Sequence, residues 1–379
     1  MLQFRKPDAV KALLCAGLLL LCTGCTKAQT PDTASDAGQM PLSYAEQFTV
    51  TYREDGCADI AIADGLHYLL IPEDTPVPAD TGDAILLQQP LDNLYVAATS
   101  AVDLFDGFGS LDSVRMVSSE DWALPNVASA LEDGSLLYAG KYSRPDYELI
   151  LSEQCGLAVE STMIYHTPEI REQLLQLGIP VLVERSSYET HPMGRMEWMK
   201  LYGLLLGKAE EAEAAFTAED ERFQAVTLDP IPEEKQPTVA FFYITSGGYA
   251  NIRKPGDYTS RMIGLAGGKY CFTAEDLEIE DNALSTMNVQ MERFYELAHD
   301  ADILIYNSSI DGDLQTTSQL IAKSPVLADF KAVQSGNVWC TGQNLYQETT
   351  GAAGMIEDFH AVFTGEDKPL TYLHKVDPS

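Results

Sequence analysis

Hydrophobic and polar positions follow two different rhythms along the chain. Short β-type runs come first, over residues 48–52, 66–71 and 84–87, and turns rich in Asp, Gly and Pro separate them. From about Ala101 onward, strand-like and helix-like segments alternate. That alternation is typical of βαβ units built around a parallel sheet. The pattern therefore predicts a β-rich elaboration over residues 46–100, followed by an α/β protein.

Two βαβ units are predicted in the first half. A strand over residues 114–117 precedes a helix around 126–131, and a strand over 156–159 precedes a helix over 168–177. The next run, Ile-Pro-Val-Leu-Val at 179–183, is apolar throughout. Continuous apolar runs of this length are typical of strands that are buried on both faces of a parallel sheet.

The second half repeats the alternation. Strands are predicted at residues 239–243, 303–306 and 338–339, with amphipathic helices between them. Between the halves, residues 208–226 are dense in Ala and Glu and contain no Gly or Pro, which predicts one uninterrupted helix. A single helix between two α/β lobes would make a stiff connection.

The start of the chain has the pattern of a secretory signal. Arg5, Lys6 and Lys11 form its basic beginning. The apolar run over 12–21 is too short to span a bilayer, since a spanning helix needs about 20 apolar residues. Leu-Cys-Thr-Gly-Cys at 21–25 resembles a lipobox, which implies that Cys25 is acylated and begins the mature chain. Ordinary secretion, with cleavage nearby, is the alternative.

Length and local composition divide the chain into five predicted segments. The residues after the signal exceed one ordinary core and suit two domains. Residues up to about 41 are mostly Thr, Ala, Asp, Gln and Pro, as in flexible tethers. The predicted segments are the signal peptide at 1–24, the tether at 25–41, the N-terminal lobe at 42–207, the linker helix at 208–227 and the C-terminal lobe at 228–379.

The chain is strongly acidic, with a formal charge of -33 over 379 residues. Such a surface disfavours nucleic acid and anionic lipid and favours a partner with a basic face. Acidity of this size also serves solubility, so it does not identify a function by itself.

Three of the seven cysteines, Cys15, Cys22 and Cys25, belong to the export signal. The other four are Cys57, Cys155, Cys271 and Cys340, and none of them forms a CxxC pair. Because two fall in each half, an exported protein could pair the first with the second and the third with the fourth. Four free, buried thiols are the alternative.

No motif in the chain supports catalysis. The sequence contains no Gly-x-Ser-x-Gly elbow, no phosphate-binding loop and no His-Glu-x-x-His. We therefore predict a protein that is not an enzyme and needs no cofactor. An exported enzyme working in a cleft between the lobes, and a surface sensor or adhesion module, are the rival hypotheses.

Several short segments, in their order and spacing, resemble the ABC-importer binding proteins for iron-siderophore complexes, haem and cobalamin. The segments are LYAG at 137–140, PDYELI at 145–150, LGIPV at 177–181, GRMEW at 194–198, LGK at 206–208, LAGG at 265–268, MERF at 291–294 and DADILI at 300–305. The resemblance implies two Rossmann-like lobes joined by one long α-helix. The β-rich residues 46–100 depart from the usual family N-terminus.

The resemblance also implies partners. Family members dock on an ABC permease, which works with an ATPase, through one exposed carboxylate per lobe, and the matching positions are Glu148 and Glu292. Carboxylate–arginine pairs are directional, so two of them would fix orientation as well as contact. Two ordinary glutamates near helix N-termini are the alternative. We expect a monomer, tethered by its lipid anchor to the extracytoplasmic face of the membrane, that does not bind nucleic acid.

The ligand is expected between the lobes, at loops that leave the carboxyl ends of parallel strands. The residues on such loops are Tyr142, Arg144, His166, Tyr188, His191, Tyr249, Arg253, Tyr258 and Tyr346. Tyrosines offer a flat face and a hydroxyl, and Arg144 or Arg253 could pair with an anionic siderophore. His166 and His191 could ligate haem iron or cobalt, although capping or solvated histidines are commoner.

The sequence does not choose among siderophore, haem and cobalamin, nor does it identify a metal ligand. Only a few basic residues lie in the nominated loops, which favours a less anionic chelate. A stiff linker helix should keep closure of the lobes modest.

Overall fold

The computed structural model of the protein describes residues 38–280 and 285–378. The predicted signal peptide, Cys25 and most of the predicted tether lie outside these residues. Within the described part of the chain, no helix combines the length and the apolar character needed to cross a membrane.

Helices and strands alternate through most of the described chain. The helices are α1 (Thr99–Gly107), α2 (Pro125–Asp133), α3 (Tyr147–Ser152), α4 (Pro168–Gln176), α5 (Pro192–Leu205), α6 (Ala209–Thr227), α7 (Tyr258–Leu265), α8 (Ala274–Leu277), α9 (Met291–Ala298), α10 (Ser308–Asp311), α11 (Thr317–Lys323), α12 (Lys331–Gln334) and α13 (Ala352–Thr364).

The strands form four sheets. They are β1 (Phe48–Tyr52), β2 (Ala58–Ile62), β3 (His67–Ile71), β4 (Ile85–Gln88), β5 (Leu94–Val96), β6 (Val114–Val117), β7 (Leu137–Tyr138), β8 (Gly140–Lys141), β9 (Arg144–Pro145), β10 (Ala158–Ser161), β11 (Val181–Glu184), β12 (Thr238–Ile244), β13 (Ala250–Arg253), β14 (Lys269–Tyr270), β15 (Thr286–Val289), β16 (Ile303–Tyr306), β17 (Val338–Thr341) and β18 (Leu373–Lys375).

Each lobe is built on one large sheet. The N-terminal sheet has the order β11-β10-β5-β6-β7 and is parallel throughout. The C-terminal sheet has the order β15-β13-β12-β16-β17-β18, with β14 paired to β12. Its strands β12, β14, β16 and β17 are parallel, whereas β13, β15 and β18 run antiparallel to their neighbours. The predicted α/β class is confirmed.

The N-terminal elaboration is a small four-stranded sheet, β1-β2-β3-β4. Its buried face packs on α5, where the Phe48 ring lies 4.9 Å from that of Trp198. The Tyr68 hydroxyl donates a hydrogen bond of 2.9 Å to the Val181 carbonyl on β11. The small sheet therefore braces the outer side of the N-terminal lobe.

Helix α5 is buried on nearly its whole circumference, because thirteen of its fourteen residues are buried. It packs along α6, the helix predicted over residues 208–226, and α6 in turn packs on α13. At Gly203 a side chain would collide with Ala212 of α6 and with the Lys208 carbonyl, so glycine permits the close approach of the two helices.

Glu197 of α5 holds the beginning of the described chain. Its carboxylate accepts hydrogen bonds from the backbone N–H groups of Ser43, Tyr44 and Ala45, each at 2.8 Å, and lies 3.2 Å from the Lys200 ammonium. A buried carboxylate is tolerated only when its acceptors are satisfied, and here the backbone of one segment supplies the donors.

Glu189 holds the next residues of the chain in the same way, by accepting hydrogen bonds from their backbone. It accepts hydrogen bonds from the backbone of Glu46 and Gln47 and from the Trp198 indole. Further upstream, the Met40 N–H donates to the Val50 carbonyl at 3.0 Å. The chain is thus paired before residue 42, where the predicted tether was expected to end.

The cysteines Cys57, Cys155, Cys271 and Cys340 are all free thiols. All four are free, as in the second alternative drawn from the sequence, but only Cys57 and Cys340 are buried, whereas Cys155 and Cys271 are half-buried. Burial raises the pKa of each thiol above its ordinary value, so they are protonated at neutral pH.

Glu160 on β10 is fully buried, and neither of its carboxyl oxygens has a hydrogen-bond partner among the described residues. Burial raises its pKa from 4.5 to about 8, since a buried charge would be uncompensated. The neutral acid is therefore the form that suits the folded lobe near neutral pH.

Folding stability should fall as the pH rises from about 4.5 to about 8, because the unfolded chain ionises Glu160 and the folded chain resists it. The slope contributed by this residue is at most about 1.4 kcal/mol per pH unit. Glu160→Gln should therefore raise the Tm at pH 8 more than at pH 5, measured by thermal unfolding. Glu169→Gln, at an exposed position, should change neither value. An equal effect of Glu160→Gln at both pH values would contradict the assignment.

Candidate ligand-binding site

A cavity of about 930 Å³ lies between the two lobes. On the N-terminal side it is lined by residues just beyond the carboxyl ends of four parallel strands, β5, β6, β10 and β11. These residues are Ala97, Thr99, Ser100, Ser118, Ser119, Thr162, Met163 and Ser187. The position agrees with the general rule for ligand sites in open α/β sheets.

Five of the nine predicted ligand residues line this cavity. They are Tyr142, Tyr188, Arg253, Tyr258 and Tyr346. They come from both lobes, so the fold brings together residues that lie up to two hundred positions apart in the chain. Their contact with a ligand stays a prediction.

The other four do not reach the cavity. Arg144 is exposed on the short β9 strand, and His166 is exposed at the end of a 3₁₀ turn. Tyr249 lies at the exposed tip of the hairpin that joins β12 to β13. Sequence reasoning placed Tyr249 on a loop correctly, whereas Arg144 lies on β9 and His166 in a 3₁₀ turn, and it could not tell which way each segment turns.

His191, the fourth of these residues, caps α5. Its Nδ1 accepts a hydrogen bond from the Met193 N–H at 3.2 Å, and its ring stacks on Tyr44 at 4.5 Å. Burial lowers its pKa, and nearby Arg261 lowers it further. The geometry supports the capping alternative, because the neutral ring is already used by the fold.

Arg195 lines the cavity from inside α5 and was missed by the sequence analysis. It is only 8% exposed, and its guanidinium carbon lies 3.8 Å from the centroid of the Tyr258 ring. Within the described chain no hydrogen bond or ion pair reaches its guanidinium, and its Nε is buried without an acceptor. The sequence analysis expected ligand contacts from loops, whereas Arg195 lies inside a helix.

Arg253 stands beside it and was predicted. Its guanidinium contacts Asp257 at 3.4 Å and lies 4.7 Å from the Tyr346 ring centroid, while its Nε is also unpartnered. Burial lowers its pKa, but Tyr258, Asp257, Tyr346 and Tyr270 together raise it by more, so the group stays charged. Two guanidiniums and two tyrosine rings thus form a stacked floor to the cavity.

Acidic groups neutralise this floor only in part. Glu184 lines the cavity, and burial raises its pKa, although the Ser186 N–H at 2.8 Å and Arg195 oppose the shift. Asp257 caps α7, because one of its carboxylate oxygens accepts a hydrogen bond from the Thr259 N–H. The floor can therefore accept an anionic group, which would satisfy the unpartnered guanidinium donors.

The loop after β17 links the two lobes. The Gln347 side-chain oxygen accepts a hydrogen bond from the Ala123 N–H at 2.7 Å, and its amide nitrogen donates to the Asp121 carbonyl at 3.0 Å. Gln347 also lines the cavity, so it closes one side of the cleft while it ties the lobes together.

Two further links follow in the same loop. The Thr349 hydroxyl donates to the Ser100 carbonyl at 2.8 Å, and the Thr350 N–H donates to Asp103 at 2.7 Å. Burial raises the pKa of Asp103 to about 6, and the Thr350 hydrogen bond lowers it in part. Residues 347–350 therefore form a strap between the lobes next to the N-terminus of α1.

The predicted docking glutamates are both exposed, each in the first turn of a helix. Glu148 follows the N-cap Asp146 of α3, and Glu292 is the second residue of α9. Neither makes an ion pair with another described residue, so both carboxylates are free for a partner.

Residues 98–345 match the profile of the family described as periplasmic binding protein. An uncharacterized lipoprotein of Methanocaldococcus jannaschii is 25% identical over 306 residues, 75% of this chain and 69% of that protein. A cobalamin-binding protein of Halobacterium salinarum is 24% identical over 267 residues, 70% of this chain and 68% of its own. A solved periplasmic heme binding protein from Pseudomonas aeruginosa shares the fold, with a TM-score of 0.58 and 17% identity over 76% of this chain and 98% of its own.

Gln347→Ala should loosen the link between the lobes. Loss of a hydrogen bond worth about 1 kcal/mol corresponds to roughly fivefold faster exchange of the Ala123 amide. Hydrogen exchange followed by mass spectrometry over residues 119–124 measures this change. Gln343→Ala, in the same loop, is the control, and equal exchange in the two variants would count against the strap.

Proposed function

The chain belongs to the periplasmic binding protein family, and we propose that it is a lipid-anchored member that binds a metal chelate between its lobes and delivers it to an ABC permease. The family consists of substrate-binding proteins of transporters rather than enzymes. The observation that carries the proposal is the pair of buried guanidiniums, Arg195 and Arg253, at the floor of the cleft with unpartnered nitrogens.

The size of the cleft supports a bulky ligand. At about 930 Å³ it lies at the upper end of the range of about 300–1,000 Å³ found for small-molecule sites. Tyrosine rings offer apolar contact area, and hydroxyls of Ser and Thr surround them. Such a lining suits a large, flat or globular chelate that carries both apolar surface and polar edges.

The charge of the cleft supports an anionic group on the ligand. A carboxylate placed on the floor would accept charge-assisted hydrogen bonds from Arg195 and Arg253. Among the described lining residues two guanidiniums are buried, and Glu184 and Asp257 partly offset them, which favours a chelate with few anionic groups over a highly charged one.

Among chelates, a ferric siderophore is the first candidate and cobalamin the second, with haem the third. The Halobacterium salinarum relative is named a cobalamin-binding protein, which supports the second candidate. No histidine lies among the described lining residues, so histidine ligation of a bound metal is not the basis of binding. The lining favours a chelate whose metal is already fully coordinated.

Arg195→Gln and Arg253→Gln should each weaken binding by about ten- to a hundredfold, because each removes a charge-assisted hydrogen bond worth about 1.5–3 kcal/mol. Tryptophan fluorescence titration with ferric siderophores, haemin and cyanocobalamin measures the affinity and identifies the cargo. The exposed Arg144→Gln, outside the cavity, is the matched control. The proposal fails if the wild-type protein binds none of these ligands, or if the control loses as much affinity as the cavity variants.

We infer further that Glu148 and Glu292 are the contacts with the permease. Both are exposed, unpaired and placed one in each lobe. Arginines on the membrane protein would meet them, as the chain's overall charge of -33 also favours a basic partner. Cys25, outside the described residues, would carry the lipid that keeps the protein near the permease.

Glu148→Gln and Glu292→Gln together should abolish uptake of the cargo while its affinity for the binding protein stays unchanged. The reason is that neither carboxylate lies in the cleft. Transport into proteoliposomes and ligand titration measure the two quantities separately. Glu169→Gln, an exposed first-turn glutamate of α4, should transport normally, and an uptake defect that follows lost affinity would remove the docking assignment.

A further inference from the structure

Three side chains with metal-binding atoms meet at the edge of the C-terminal lobe, away from the cleft. They are Asp313, Cys340 and His374, and one ligand atom of each lies within 4.8 Å of the others. We propose that this cluster is a binding site for Zn²⁺ or a similar borderline divalent cation.

The backbone brings the three residues together from separate parts of the sequence. Cys340 on β17 and His374 on β18 are directly opposite each other in the antiparallel register. Side chains of opposite residues project from the same face of a sheet. The loop after α10 carries Asp313 over that face, and it is held to the end of the chain by the bridge between Thr316 and Asp377.

The separations suit a tetrahedral ion. The Cys340 sulfur lies 3.4 Å from Asp313 Oδ1, and His374 Nε2 lies 3.2 Å from the same oxygen. Tetrahedral zinc, with bonds of about 2.0–2.3 Å, requires about 3.5 Å between sulfur and oxygen and about 3.3 Å between nitrogen and oxygen. These two separations therefore fit one shared ion, while the Cys340 sulfur and a His374 ring nitrogen lie within 4.8 Å of each other, against the about 3.5 Å that tetrahedral zinc requires.

A supporting contact orients the carboxylate. The Gln315 amide donates to Asp313 Oδ2 at 2.5 Å, which leaves Oδ1 facing Cys340 and His374. Such outer contacts are usual around metal ligands. The Leu314 carbonyl lies 3.0 Å from His374 Nε2, so without a metal Nε2–H donates to this oxygen. A bound ion requires the tautomer that carries the proton on Nδ1, and the carbonyl oxygen or water would then complete the coordination.

The geometry does not fit a catalytic triad. In a triad the cysteine and the carboxylate contact opposite nitrogens of the imidazole, whereas here Asp313 Oδ1 contacts both His374 Nε2 and the Cys340 sulfur. Burial also raises the pKa of the Cys340 thiol to about 12, so without a metal it is not a nucleophile at neutral pH. A bound cation would displace the thiol proton.

The chemistry of the set selects the class of ion. A thiolate, an imidazole and a carboxylate together favour zinc over the hard cations Mg²⁺ and Ca²⁺, which prefer oxygen ligands. The side chains of Asp313 and His374 are 39% and 37% exposed, so an ion has access from solvent. Once bound, it would fasten β18 to β17 and to the loop after α10.

Titration of the purified full-length protein with Co²⁺, a spectroscopic substitute for Zn²⁺, tests the site. We expect one equivalent to give tetrahedral visible bands and a near-ultraviolet thiolate charge-transfer band, Zn²⁺ to displace it, and Zn²⁺ to raise the Tm. Cys340→Ser should lose the charge-transfer band, and His374→Gln should weaken binding at least tenfold.

Two control variants each remove a metal-binding side chain of the same type that lies outside the cluster. Cys271→Ser removes another thiol of the same lobe, and His299→Gln removes a histidine 3.2 Å from Asp300 with no cysteine beside it. Both should bind Co²⁺ as the wild type does. Asp313→Ala changes an exposed loop position, so it tests the site even if Cys340→Ser does not fold. Absence of the charge-transfer band in the wild type, or its retention in both Cys340→Ser and Asp313→Ala, would overturn the proposal.

Discussion

The burial of α5 is the constraint on which the rest of the molecule depends. A helix surrounded by protein must satisfy every polar group that it carries, because an unpaired buried charge is costly. Glu197 is satisfied by backbone donors of residues 43–45, and Lys200 by the carboxylates of Glu197 and Glu213. Arg195 is not, and it faces the cleft. The same helix thus anchors the N-terminal segment and presents one unpaired cation to the cleft.

Two features hold the lobes together around this helix. Helix α6 packs against α5 and α13, which makes a continuous helical support behind the cleft. The strap at residues 347–350 joins the lobes near α1 through hydrogen bonds of 2.7–3.0 Å. A rigid support with a breakable strap suits modest closure over a ligand better than a wide hinge motion.

Local patterns predicted the elements well where they were strongly apolar or strongly helical. Strands at 114–117 and 303–306 and the helix at 208–226 lie where the sequence places them, to within a residue or two. β2 was missed, since Ala-Asp-Ile-Ala-Ile contains two alanines and an aspartate, residue types that are depleted in strands, beside its two isoleucines. Its strand state comes from pairing with β1 and β3.

The sequence alone determined the α/β class and the single helix between the lobes, because periodicity and composition are local properties; the export signal that it predicts lies outside the described residues. It also nominated five residues that line the cleft, although Arg253 ends β13 and Tyr258 begins α7. Only the tertiary structure decided that Arg195 reaches the cleft from a buried helix, and that the His191 ring caps α5. Likewise, Asp313, Cys340 and His374 form no motif in the sequence. Strand register and loop path, which are long-range properties of the fold, bring them together.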